Sequence, residues 1–278
     1  MQKLQTIFGI LLFMSASLYA QEKKTAPSSD SSFTFYKAIA GKFNTLNVDV
    51  LGNMYVITET NQLKKMNSNG DSLSTFNEVK KFGNVTSIDV SNPLKVILFY
   101  KNFTTAVVLD RQLTYRNSIN FKQQNIFKVK TVTTSYDNNI WIFDEQQLKI
   151  KKIKDNGTTI QESADLRQLF DEVPTATRLI DKDNSLYLYD IQKGFFVFDY
   201  YGSLKQRLPL KGWTNIAIAN NTIFGIIGDT LINYDIKTLV TKMFKLPSFF
   251  WGYKDIIAIN GKVYLLKKTG IEVYTIQQ

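Results

Sequence analysis

A unit that recurs six times along the chain constrains the fold more than any other feature. Each unit is a short turn next to an aromatic and β-branched run, at residues 48–58, 88–99, 134–143, 180–189, 218–227 and 257–266. The equivalent apolar positions are Met54, Val96, Ile140, Leu186, Ile223 and Val263, spaced 42, 44, 46, 37 and 40 residues apart. Inside each run the apolar residues alternate or are continuous, which is strand periodicity; a helix would space them every three or four. Several short strands in a period of about 40–45 residues form the blades of a β-propeller. Six units predict an all-β protein with six blades.

The strands can be counted within a unit. In the first, residues 45–50, 54–58, 62–67 and 72–76 are four strands, with Asn69-Gly70 as the tight turn before the last. Residues 178–181, 186–190, 194–199 and 204–209 repeat the pattern in the fourth. The sixth offers only three strands, 255–259, 262–267 and 271–276. An open sheet edge invites aggregation, so residues 33–39 are expected to supply the missing strand and close the ring. Residues 163–172 break the pattern, and Leu166, Leu169 and Phe170 predict one or two helical turns between blades.

Residues 1–20 read as a cleavable signal peptide. Lys3 is followed by an apolar run from Leu4 to Met14, then by small and polar residues ending at Ala20-Gln21. The run is shorter than the roughly 20 residues a bilayer span needs, and no later run is long enough. Residues 21–32 form a flexible polar segment, and 33–278 a single propeller domain. The chain has no cysteine. An exported chain of this size without disulfides points to a bacterial envelope, so the expected address is the periplasm. Without Lys3 the charge is 33 basic against 24 acidic residues, or +9. That favours an anionic partner; nucleic acid is not expected outside the cytoplasm.

Histidine is also absent, which removes His-based nucleophile triads and the usual zinc and haem ligands. No catalytic, cofactor or metal site is predicted, and the chain is not expected to be an enzyme. Asp49, Asp89 and Asp181 fall at the same place in successive units, as structural residues do. The run Asp181 to Ser185 resembles a calcium loop but has Leu186 where that loop needs glycine, so a hairpin turn is expected. Lys149, Lys151, Lys152 and Lys154 share one strand, read as a solvated outer edge or, less favoured, an anion-binding stripe.

The candidate partner-binding residues lie in an aromatic loop between the fifth and sixth units. It contains Phe249, Phe250, Trp251 and Tyr253, with Trp213 one unit earlier as the counterpart of Trp251. Such clusters mark interfaces.

A cysteine-free propeller of about 260 residues after the Ala20-Gln21 junction, with Asn/Lys/Ile-rich blades, resembles the plug proteins of the Bacteroidota type 9 secretion system. The resemblance covers architecture and compositional style, and no short motif carries a residue across. It implies a protein, monomeric alone, at the periplasmic mouth of a very large outer-membrane translocon β-barrel. The partner is that barrel, the association with the outer membrane is peripheral, and the function is occlusion without cofactors. An envelope assembly scaffold and a glycan-binding or glycan-cleaving propeller remain open.

Overall fold

The computed structural model describes residues 33–276. The expected signal peptide (1–20) and polar segment (21–32) lie outside the described residues. Strand β1 (Phe33–Ala40) comes first. Blade 1 follows as β2 (Phe43–Val48), β3 (Met54–Thr58), β4 (Leu63–Met66) and β5 (Ser72–Phe76). Blade 2 is β6 (Ser87–Asn92), β7 (Lys95–Tyr100), β8 (Thr105–Asp110) and β9 (Tyr115–Asn120). Blade 3 is β10 (Val129–Thr134), β11 (Ile140–Asp144), β12 (Lys149–Ile153) and β13 (Thr159–Glu162). Blade 4 is β14 (Arg178–Lys182), β15 (Ser185–Asp190), β16 (Gly194–Phe198) and β17 (Leu204–Leu208). Blade 5 is β18 (Thr214–Ala219), β19 (Thr222–Ile227), β20 (Thr230–Asp235) and β21 (Thr241–Lys245). Blade 6 is β22 (Asp255–Ile259), β23 (Lys262–Lys267) and β24 (Gly270–Ile276), completed by β1. Every sheet is antiparallel.

The closure read from the strand count is present. β1 pairs with β24 from Phe33 opposite Ile276 to Ala40 opposite Gly270. First and last segments of the chain therefore share one sheet, so the ring has no seam where a blade lacks a strand.

The continuous apolar runs have a simple cause. Each blade is buried on both faces, so both sides of a middle strand must be apolar. In β7, Val96, Leu98 and Tyr100 pack on blade 1, whereas Ile97 and Phe99 pack on blade 3. The same division gives six hydrophobic clusters, one per joint, including Leu46, Met54 and Val56 against Tyr264, Leu266 and Val273 between blades 1 and 6. All six reference positions, from Met54 to Val263, are buried.

Turns explain the asparagines. Asp183–Asn184, Asn220–Asn221 and Asn260–Gly261 are two-residue hairpin turns with positive φ throughout, the geometry Asn and Gly tolerate best. The Asp181–Ser185 segment is thus a hairpin. Residues 163–172 contain a single 3-10 turn at Leu166–Gln168, with Leu166 and Phe170 buried in the joint of blades 3 and 4.

The lysine run departs from expectation. It is not an outer edge: β12 is the third strand of its blade, and β13 lies outside it. Lys151 is 5% exposed and Lys152 3%. Lys151 pairs with buried Asp144 at 2.8 Å, and Lys152 with Asp137 at 2.8 Å. Partners within the same blade make that burial tolerable.

Candidate functional site

In each blade the first and third strands run one way and the second and fourth the other. One side of the ring therefore carries the turns inside each blade that follow the first and third strands; this is the hairpin face. The opposite, crossover face carries the remaining turns and the connections from blade to blade. The aromatic loop 246–253 is such a connection, so it belongs to the crossover face.

The loop is divided by a 3-10 turn at Ser248–Phe250. That turn sends adjacent side chains in different directions. Phe250 is 0% exposed, with its ring 5.0 Å from Phe33 and 4.7 Å from Tyr274. Phe249 stays 46% and Trp251 62% exposed. Tyr253 is half-buried against the joint of blades 5 and 6. Lys267 fixes the loop by donating to the Phe249 carbonyl at 2.9 Å while pairing with Glu272 at 2.7 Å. Burial, then the hydrogen bond to Glu272, pushes the Tyr274 hydroxyl beneath this loop up to about 12.

Two of the five candidate residues are thus core. Phe250 fills the joint of blades 5 and 6, and Trp213 fills that of blades 4 and 5, edge-on to Phe195 at 6.3 Å. The Trp213 backbone N–H donates to the Tyr189 hydroxyl at 2.7 Å. Nor is Trp213 the counterpart of Trp251. Counted back from the turns Asn220–Asn221 and Asn260–Gly261, Trp213 matches Tyr253. The sequence holds a signal for this: a Cβ on Gly225, inside β19, would lie 2.4 Å from the Trp213 ring. Glycine in a strand often marks such a close approach.

Phe249 and Trp251 continue a larger apolar surface that sequence reading missed. Leu239 and Val240 in the last turn of blade 5, and Met243 and Phe244 on its outer strand, are all exposed, as is Ile227. Every residue of β21 is exposed. Lys237, Lys242 and Lys245 fall among these apolar residues along the chain, whereas Lys254 turns away to the Phe43 carbonyl of blade 1. The result is an apolar stripe edged with positive charge that follows the outer rim of blade 5 from the hairpin face to the crossover face, with Met243 on the side toward blade 4 and Phe244 on the side toward blade 6.

The three aspartates singled out by position are not equivalent in register. Asp181 lies opposite Leu186, Asp89 opposite Ile97, and Asp49 beyond the ladder in the turn before Met54. Asp49 accepts from the backbone of Leu51 and Asn53 at 2.9 Å and from the Tyr55 hydroxyl at 3.0 Å. Asp89 reaches blade 3 through the Thr134 N–H and the Thr133 hydroxyl, the latter at 3.2 Å. Asp181 takes the Trp141 indole N–H at 2.8 Å and the Tyr200 hydroxyl at 2.7 Å. Two of the three therefore fasten neighbouring blades.

The innermost strands enclose a lumen of about 970 Å³. Their side chains alternate. Leu46, Val132, Leu179, Ile216 and Ile256 are buried between blades. Of the residues before them, Ser87, Thr131, Arg178, Asn215 and Asp255 line the crossover mouth as a polar ring, and Thr45 holds the same register in blade 1. Enclosure raises the Asp255 carboxyl, partly offset by hydrogen bonds from Ile256, Leu46 and Asn215 and by the charge of Arg178. Among the described residues no cluster of potential metal ligands occurs, and no helix is long and apolar enough to cross a membrane.

No family profile matches the chain, and no curated protein matches it in sequence. Solved structures match its fold. The WD40 domain of Pan2 from Neurospora crassa is 12% identical at a TM-score of 0.59, over 88% of this chain and 82% of that one. A catalytically inactive histidine-to-alanine variant of virginiamycin B lyase from Staphylococcus aureus, solved with quinupristin, is 15% identical at 0.58, over 88% and 89%. BamB from Moraxella catarrhalis is 10% identical at 0.53, over 88% and 100%. At these identities the likeness is one of fold: the chain is similar to enzymes and non-enzymes alike as a six-bladed β-propeller.

Proposed function

We propose that this chain is a binding propeller of the bacterial periplasm, without catalysis of its own, that occludes the periplasmic opening of a large outer-membrane protein-translocation barrel. One observation carries the docking part of this reading. The apolar stripe of blade 5, with Phe249 and Trp251 at its crossover end, is left open although every blade joint is filled. Burying one such ring contributes on the order of 1.5–3 kcal/mol, and interfaces concentrate their energy in aromatic anchors. The lysines of the stripe favour a partner rim that carries carboxylates. A ring closed by β1 and packed at six joints is rigid, which suits a part that works by blocking an opening. The identification of the barrel rests on the resemblance to the plug proteins.

Two features bear on catalysis. The chain has no histidine, and a histidine-to-alanine change is what the inactive lyase variant carries. A glycan-cleaving reading draws on Asp89 and Asp255, which share the lumen. Both are already engaged by donors from neighbouring strands, which suits fasteners better than a proton shuttle. Affinity purification of the tagged protein from envelope membranes, followed by mass spectrometry, tests the proposal. A large outer-membrane barrel should be the main co-purifying species. Its absence, or glycan turnover lost in Asp255→Asn, would overturn the reading.

A further inference from the structure

The lumen carries a separate inference that does not depend on what docks at blade 5. Five arginines occur. Arg116 pairs with Asp110, Arg167 pairs with Asp165, Arg207 lies over the Phe170 ring, and Arg111 is exposed on an outer turn of blade 2; Arg178 alone among them lines the lumen. Arg178 opens onto the lumen, and no ion pair or hydrogen bond from another described residue reaches its side chain; Asp89 and Asp255 act on it only through their charge. Arg178 is exposed to the solvent of the lumen; the surrounding ring disfavours its charged form, against the pull of those two carboxylates. Neither carboxylate pairs with it, and both accept hydrogen bonds elsewhere. Asp89 is held by Ser91, Thr133 and Thr134. Asp255 accepts from the Ile256 N–H at 2.9 Å and the Asn215 amide at 2.5 Å. Five N–H donors in a fixed planar fork thus face the lumen without a protein acceptor.

We propose that the crossover mouth of the lumen binds a small zwitterion, an α-amino acid or a short peptide, with its carboxylate on Arg178 and its ammonium facing Asp255 and Asp89. The guanidinium fork matches a carboxylate in two parallel hydrogen bonds. Arg178 and the two aspartates together carry one net negative charge, so a simple anion is repelled where an added ammonium is attracted. A neutral polyol would leave the guanidinium charge unanswered. Ser87 and Thr131 line the same lumen, and about 970 Å³ is within the range of small-molecule sites, roughly 300–1,000 Å³.

Calorimetric titration of the purified propeller tests this. Glycine, L-glutamine and glycylglycine are the probes, with acetate, methylammonium and inorganic phosphate as single-charge controls. At least one zwitterion should bind saturably and exceed every control, with glycine or glycylglycine telling whether a free amino acid or a peptide is preferred. Arg178→Gln removes no contact of the fold, so it should keep the wild-type melting temperature and weaken that binding at least tenfold. Three results would each overturn the proposal: no saturable zwitterion binding, acetate or phosphate binding as tightly, or unchanged binding in Arg178→Gln.

Discussion

Blades 3 and 5 have the same four-strand order and opposite surfaces. Blade 3 directs its polar groups inward. Lys151 and Lys152 lie in its third strand, paired to Asp144 and Asp137, and Lys149 pairs with Glu162 on the outer strand at 2.6 Å. Lys152 also sits 4.6 Å from the Tyr136 ring and 4.9 Å from that of Trp141, while Tyr136 stacks on Tyr200 of blade 4 at 4.1 Å. Blade 5 makes no comparable closure. Its outer strand exposes every residue, and its pair Lys245–Asp229 spans 3.6 Å between exposed groups. An exposed pair of this kind contributes little. The difference separates two uses of one blade design. Blade 3 uses charge to fasten itself and its neighbour, whereas blade 5 keeps apolar surface in reserve.

The comparison breaks most visibly if its buried charges are removed. Lys151→Met leaves the Asp144 carboxylate buried without its ion-pair partner, and losing one member of such a pair costs about 3–5 kcal/mol. Lys242→Met, on the outer strand of blade 5, should stay within about 0.5 kcal/mol of wild type. Urea unfolding of both variants measures the contrast. Equal midpoints would mean that blade 3 does not depend on its inward lysines.

Acid gives a smaller effect, again in blade 3. Burial alone would raise the Asp137 carboxyl, but hydrogen bonds from Lys152 and Asn139, with the Lys152 charge, hold it at about 2. A carboxyl depressed by folding stabilises the native state above its unfolded pKa, and that contribution is lost as pH falls through the folded value. The window therefore lies between about pH 4 and pH 2. With part of the side chain in water, the contribution is about 1–2 kcal/mol. The stability gap between wild type and Asp137→Asn should narrow by most of that amount from pH 5 to pH 2.5. A gap independent of pH would show that the ion pair does not act as described.

The ring was legible because its signals are local or periodic. Two-faced burial writes continuous apolar runs, tight turns demand Asn and Gly, and three strands in the last unit call for a fourth. The lysine run was misread because its partners lie in the preceding hairpin. Asp144 is opposite Lys149 in register, and Asp137 precedes Lys152 by fifteen residues; neither follows from the run itself. Phe249 and Phe250 differ only by one step of a 3-10 turn, which no composition reveals. Arg178 and Asp255 stand out only when six inner strands are superposed as a ring, since each is the only residue of its charge at that level. The apolar stripe of blade 5 spans a turn, a strand and a loop, so no single window of sequence displays it.

A smaller expected change in stability belongs to the most direct test of blade 5. Phe249→Ser with Trp251→Ser removes the two open rings of the crossover loop and leaves Phe250 in its joint. Trp251 is largely exposed, and Phe249 keeps ring contacts with Phe250 at 5.0 Å and Tyr274 at 5.5 Å, so stability should fall by only about 1 kcal/mol. Phe250→Ser is the internal control: emptying a buried phenylalanine site costs about 3–5 kcal/mol. If blade 5 is a docking surface, the double variant folds like wild type yet fails to recover the barrel from envelope membranes. A fold that survives together with undiminished recovery would take the loop out of the interface and leave the outer strand, with Met243 and Phe244, as the surface to change next. Loss of folding in the double variant would instead make both rings structural and erase the contrast with blade 3.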